Sequence, residues 1–98
     1  MVTLQELKEY MRVTTSDPEE ERVILSLESS AEDLVLSAAR VEAGTSEGEA
    51  LISDHAALFS TAVKYATAYL YEHRESADHN ALAKDLRSIL FPVREARF

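Results

Sequence analysis

The sequence predicts an all-α fold, a small bundle of about four helices. Two long antiparallel helices, about residues 18–42 and 54–75, are joined by a short helix at each end of the chain. Three observations lead there. His55 to Ser76 is the least polar long segment. In it, Leu58, Ala62, Tyr65, Ala66 and Tyr69 recur at helical spacing beside a second stripe of Phe59, Val63, Ala66 and Leu70. Two adjacent apolar stripes describe a helix touched on more than one side. Asp17-Pro18-Glu19-Glu20 opens the other long helix with a capping residue, a proline at the first helical position and a glutamate that completes a capping box. Both glycines, Gly44 and Gly48, fall in the single stretch AGTSEGE, which leaves the segments on either side unbroken.

Taken in order, Thr3 to about Arg12 reads as a short first helix. Thr3 and Glu6 form a capping box, and Leu4, Leu7 and Tyr10 or Met11 make one apolar stripe that must dock on something. Val13 to Ser16 is a connector. In the second helix, Glu19, Glu20 and Glu21 lie in the first turn, where the helix dipole favours negative charge, so the acidic triplet needs no metal. Val23, Ile24, Leu27, Ala31, Leu34, Val35, Ala38 and Val41 define its buried face. Leu25 and Leu36 fall off that face and become candidates for contact with a neighbouring copy. AGTSEGE reads as a flexible loop, and Ala50, Leu51 and Ile52 lead from it into the central helix. Asp54, or Ser53, caps that helix. Asn80 or Asp78 caps a last helix over about 81–90, whose stripe is Leu82, Leu86, Ile89 and Leu90. Pro92 stops it. Residues 1–91 thus form one helical domain. Residues 92–98, ending VREARF, alternate apolar and charged side chains without helical logic and read either as a docking segment or as a frayed end.

The chain has 98 residues, one domain's worth, which buries roughly 60–65% of its unfolded surface in a single core. It has no cysteine, so disulfides and thiolate zinc sites are excluded. No apolar run approaches the roughly eighteen residues of a membrane span, and Glu6 and Glu9 are out of place in a targeting segment. The net charge of −8 is unevenly placed: residues 1–50 hold 12 acidic and 4 basic side chains, residues 51–98 hold 6 of each. From Arg87 onward the balance is basic. Tight nucleic-acid binding is disfavoured, since it needs a clustered basic face. The charge split suggests either a solvated acidic surface or a subunit whose acidic half meets the basic tail of another copy.

No catalytic constellation is legible. His55, His73 and His79 form no HxxxH or HExxH pair, so a helical metal site is unsupported. There is no phosphate-binding glycine loop, and no nucleophile lies beside a base. The expectation is no enzyme, no metal and no cofactor. The tyrosines at the end of the central helix are more informative, because tyrosine is enriched at interfaces. Tyr65 and Tyr69 fit core packing with hydroxyls at the edge. Tyr71 lies on the opposite face from Tyr69 and is the better interface candidate. Arg74 and Glu75 can pair within the subunit or across an interface.

Four stretches together resemble the small head–tail connector proteins of long-tailed phages, also called the head-completion or DNA-packaging adaptor family. VTLQELKEYMRV is similar to that family's first helix, and DPEEERVILSLESSAEDLV to its acidic-start second helix. AVKYATAYLYEHRES resembles the third, which typically ends Tyr-Glu-Asn-Arg-Glu: Tyr71, Glu72, Arg74 and Glu75 match, and His73 replaces the Asn. AKDLRSILFPVREARF resembles the last helix and its arginine-bearing tail. The linker ADHN lacks the family's usual proline. The resemblance covers almost the whole chain in order. It implies a virion protein of the head–tail interface, present in the host cytoplasm during assembly. Such a protein forms a ring of about twelve copies under the portal through a head-to-tail cyclic contact. Its partners would be other copies of itself, the portal protein and the adjacent head-completion or tail protein. DNA would pass through without sequence-specific binding, and no membrane is involved. The residues expected at the subunit or portal interface are Leu25, Leu36, Tyr71, Glu72, Arg74, Glu75, Arg94, Arg97 and Phe98. The alternative is a small acidic interaction module that does not build rings.

Overall fold

The computed structural model describes residues 1–95. It is all-α, with six helices among the described residues rather than about four. They are α1 (Leu4–Met11), α2 (Pro18–Ala39), α3 (Ser46–Asp54), α4 (Ala56–Glu72), α5 (His79–Ile89) and α6 (Phe91–Glu95). Two are long and four short. The starts of α1 and α2 are built as their sequences demand. Thr3 and Glu6 exchange both capping-box bonds, and Asp17 accepts the Glu19 N–H ahead of Pro18.

The two additional helices have local causes. The second half of AGTSEGE is helical because Thr45 caps it, its hydroxyl accepting the Gly48 N–H at 3.0 Å. Glu47 and Glu49 sit in its first turn, where the dipole favours acids. The two glycines therefore do different jobs. Gly44 makes the turn at φ +88°. Gly48 is buried, and the Glu42 carbonyl oxygen occupies the place a Cβ would need. Leu51 and Ile52, half-buried against the core, belong to α3 and do not lead straight into the central helix. His55, at φ −120° and ψ 35°, is the joint between α3 and α4. Consequently neither Asp54 nor Ser53 caps α4, whose start has no side-chain cap.

At the other end Pro92 stops α5 and also helps open α6, because proline is tolerated in the first turn of a helix. The stretch expected as a free tail is thus helical through Glu95, and Val93 is fully buried. Arg94 Nη1 donates to the Ala38 carbonyl at 3.0 Å, satisfying one of the oxygens that α2 leaves open at its C-terminus. The long helices are also shorter than expected, ending at Ala39 and Glu72.

α2 and α4 form the main contact and run antiparallel, the start of α2 lying beside the end of α4. The deep stripe of α4 is Phe59, Val63, Ala66 and Leu70, with Ala62 and Thr67. Leu58, Tyr65 and Tyr69 flank it half-exposed. Thr67 is tolerated there because its hydroxyl donates to the Val63 carbonyl at 2.7 Å. α1 packs on one side of the α2–α4 pair, and α5 on both long helices. Leu7 is fully buried under α1, and Leu82 and Leu86 are almost so under α5; each such side chain contributes about 2 kcal/mol of transfer free energy. Principal extents are 44 × 25 × 19 Å, so the bundle is a rod with two distinguishable ends.

Candidate functional site

At one end the start of α2 meets the ends of α1 and α4, and two of the expected interface residues meet here. The Tyr71 hydroxyl donates to Glu20. The Arg74 guanidinium lies 4.0 Å from the same Glu20 oxygen and 4.9 Å from the Tyr71 ring centroid. The hydrogen bond to Glu20, more than burial, holds the Tyr71 phenol above its ordinary range. Tyr71 and Arg74 thus tie α4 to α2 within the subunit. Lys8 Nζ reaches Glu21 at 2.8 Å, tying α1 to the same turn. Asp17, Pro18, Glu19, Glu72 and Glu75 stay exposed at this end. Among the described residues Glu19, Glu72 and Glu75 have no ion-pair partner. The end presents carboxylates; of its cations Lys8 and Arg74 are engaged, while Arg12 is exposed beside Glu72.

Tyr65 and Tyr69 also have assigned hydroxyls. Tyr65 donates to Asp85 Oδ2 at 2.7 Å, and that bond raises its pKa. Tyr69 accepts the Asp78 N–H at 3.0 Å and stacks on His73 at 4.2 Å. Both pin α5 to α4. With Tyr10, 47% exposed, and Arg12 they line an open groove of about 430 Å³ between α1 and α4.

The opposite end carries guanidiniums. Arg40, Arg87 and Arg94 surround a groove of about 180 Å³ between α2 and α5, floored by Leu34, Leu82 and Leu86. Among the described residues no carboxylate lines it. Arg94 is anchored by the Ala38 carbonyl. Arg40 and Arg87 are exposed and without an ion-pair partner among the described residues. Arg40 holds a left-handed backbone, φ 58°, in the turn that closes α2. Its N–H bonds the Ser37 carbonyl and that of Val41 the Leu36 carbonyl, a Schellman arrangement in which glycine is usual.

Of the remaining expected interface residues, Leu25 is 44% exposed on the outer face of α2. Leu36 is half-buried against the core. Arg97 and Phe98 lie outside the described residues. Three residues of note escaped the sequence reading. Arg40 gave no signal, because arginine is not the residue expected in a left-handed turn. Phe91, 58% exposed, was hidden by the assumption that Pro92 ends all helix. Glu28 sits in the buried stripe of α2 between Ile24 and Ala31, 7% exposed, with Oε2 lacking any partner. Burial, reinforced by the Glu32 carboxyl one turn on, raises its pKa to about 7.

Among the described residues no group of three or more His, Cys, Asp or Glu side chains is placed to hold a metal ion. Among the described residues no helix is long and apolar enough to cross a membrane. No protein-family model, no curated protein and no solved structure matches the chain.

Proposed function

We propose that this chain is a structural subunit of the kind its sequence resembles, a phage head–tail connector. It assembles into a ring of about twelve copies beneath the portal, extends the DNA channel and docks the next head-completion or tail protein. DNA passes through without sequence-specific binding, and the subunit performs no chemical step. Its place would be the virion, at the junction of head and tail.

One observation carries the reading: the two ends of the rod expose different side chains. Glu19, Glu72 and Glu75 gather where α2 starts and α4 ends, whereas Arg40, Arg87 and Arg94 rim one groove where α2 ends, Arg40 also sharing a second depression with Glu42 and Glu47. Unlike ends favour a heterologous contact, in which one end of each copy meets the other end of the next. Such contacts close into rings when the rotation per subunit divides the circle. The order and spacing of the four resembling stretches support it further.

The test is the mass of the protein in solution across concentration, by light scattering and native mass spectrometry, with negative-stain images of the largest species and binding to portal-bearing capsids. Closed annuli, or capsid binding by a monomer, are expected. A protein that stays monomeric or dimeric throughout and ignores capsids overturns the proposal. The acidic excess in residues 1–50 favours one other reading, a module that masks a basic partner without forming rings. That module would remain small, and salt would weaken its binding strongly.

A further inference from the structure

We infer that the arginine groove between α2 and α5 receives the exposed Asp17-Pro18-Glu19 turn of a second copy, so that the groove is the female half of a head-to-tail subunit contact. The inference rests on the self-assembly reading above and supplies its contact residues.

The groove gathers three guanidiniums, of which Arg40 and Arg87 have no ion-pair partner among the described residues. Of 10 Lys and Arg residues in the sequence, Arg40, Arg87 and Arg94 rim one depression, and among the described residues no carboxylate shares its lining. Its floor is apolar, from Leu34, Leu82 and Leu86, so it suits an acidic segment with an apolar element. Asp17-Pro18-Glu19 has that form, two carboxylates flanking an exposed proline ring. The turn is rigid: Asp17 Oδ1 accepts the Glu19 N–H at 3.0 Å, and the Asp17 N–H is itself held by Thr15 Oγ1 at 3.1 Å.

The two halves cannot meet within one molecule. They lie at opposite ends of α2, whose 22 residues span about 33 Å. A symmetric contact through the groove is also disfavoured, because it would set guanidiniums against guanidiniums, and like charges placed opposite one another reject a partner. Two copies carrying −8 each repel at long range. The groove against the turn is an approach that reverses this locally, so assembly should weaken as salt rises.

Arg87→Glu and Glu19→Arg change exposed residues and test both halves by sedimentation velocity. Each alone should weaken self-association about tenfold or more. In an equimolar mixture every contact between unlike variants sets opposite charges together, one pair native and one reversed, so the mixture should regain the larger species that neither variant forms alone. The double variant restores opposite charges at the contact and should regain larger species. Arg40→Gly serves where folding is in question: glycine suits the left-handed turn, so thermal stability should hold while self-association falls. Wild type that assembles alongside variants that assemble equally well overturns the groove but leaves the ring. Wild type that assembles neither in solution nor on portal-bearing capsids overturns both. An Arg40- and Arg87-dependent binding of a duplex oligonucleotide or of polyglutamate by a monomer assigns the groove to another occupant and also overturns the inference.

Discussion

Glu28→Gln should make the protein more stable, and only above the ordinary carboxylate range. Glu28 takes a position in the α2 stripe that the periodicity reserves for an apolar side chain. It is 7% exposed, and its Oε2 meets no donor. Burial is the main cause that raises its pKa from 4.5 to about 7, followed by the hydrogen bond to the Glu32 carboxyl and repulsion from it. The Val2 N–H and the N-terminal amine oppose the shift, the amine standing 3.5 Å from Glu32 Oε2. The folded state therefore keeps a proton that the unfolded chain releases. Below the unfolded pKa both states are protonated and nothing is lost. Between 4.5 and about 7 the unfolded chain binds fewer protons, so stability falls as pH rises, and above about 7 the loss is complete. At 1.36 kcal/mol per unit the deficit is about 3 kcal/mol.

Glutamine keeps the shape and cannot ionise, so the variant avoids that deficit. Urea unfolding of both proteins at about pH 5 and about pH 8 should show the difference between them growing by about 2–3 kcal/mol toward the higher pH, and melting temperatures should separate by roughly 10–20 °C. Glu6 acts with the opposite sign but does not interfere. Its carboxyl accepts the Thr3 N–H and hydroxyl, which holds it below the usual range. Its contribution is present above the unfolded pKa and disappears on acidification, equally in both proteins. A difference between wild type and variant that does not change with pH would mean that Glu28 is solvated or paired, and the reasoning would be wrong.

Two substitutions test the elements that the sequence concealed. Gly48→Ala, which at an ordinary helix position gains about 1 kcal/mol, should here cost about 2 kcal/mol, because the new Cβ overlaps the Glu42 carbonyl oxygen; a gain in urea midpoint would show that the Glu42–Gly48 approach is not as described. Val93→Ala should cost about 2 kcal/mol, since Val93 is fully buried; a midpoint within error of wild type would show that α6 is not seated on the core.

What the sequence disclosed and concealed follows from the range of the forces involved. Capping boxes and apolar periodicity act over three or four residues, so Thr3, Asp17 and the Phe59–Leu70 stripe could be read directly. Gly48 could not, because its reason is a backbone oxygen six residues away that exists only once α2 has ended and the chain has turned at Gly44. Pro92 was read by its more familiar effect of stopping a helix, and the burial of Val93 depends on where α2 lies. Glu28 was invisible for a sharper reason: a charged letter in an apolar register reads as a gap in the stripe. Composition placed the acidic excess in residues 1–50, whereas the exposed carboxylates of the acidic end include Glu72 and Glu75 from the other half, and it gave no sign that Glu20 and Glu21 are occupied by Tyr71, Arg74 and Lys8. The arginine groove joins α2, α5 and α6, three segments that no local pattern connects.

The two left-handed arginines sharpen the functional argument. Arg12 and Arg40 close α1 and α2 with the same turn. Each is followed by a valine whose N–H bonds back into the helix, Val13 to Lys8 and Val41 to Leu36. A non-glycine residue in this region carries about 1 kcal/mol of strain, part of which the positive charge offsets at a helix C-terminus. That offset is a folding reason for arginine at both sites, so the conformation alone says nothing about binding. The surroundings differ. Arg12 borders the tyrosine groove beside Glu72, at the end of the rod that carries the Asp17 turn. Arg40 borders the arginine groove, which no carboxylate lines among the described residues, and on another side shares a depression with Glu42 and Glu47. Arg12→Gly is therefore the matched control for Arg40→Gly. Both leave stability within about 1 kcal/mol of wild type, and only the second removes a cation from the proposed contact. If both impaired assembly alike, the common helix-closing turn would be the cause, and the arginine groove would lose its claim.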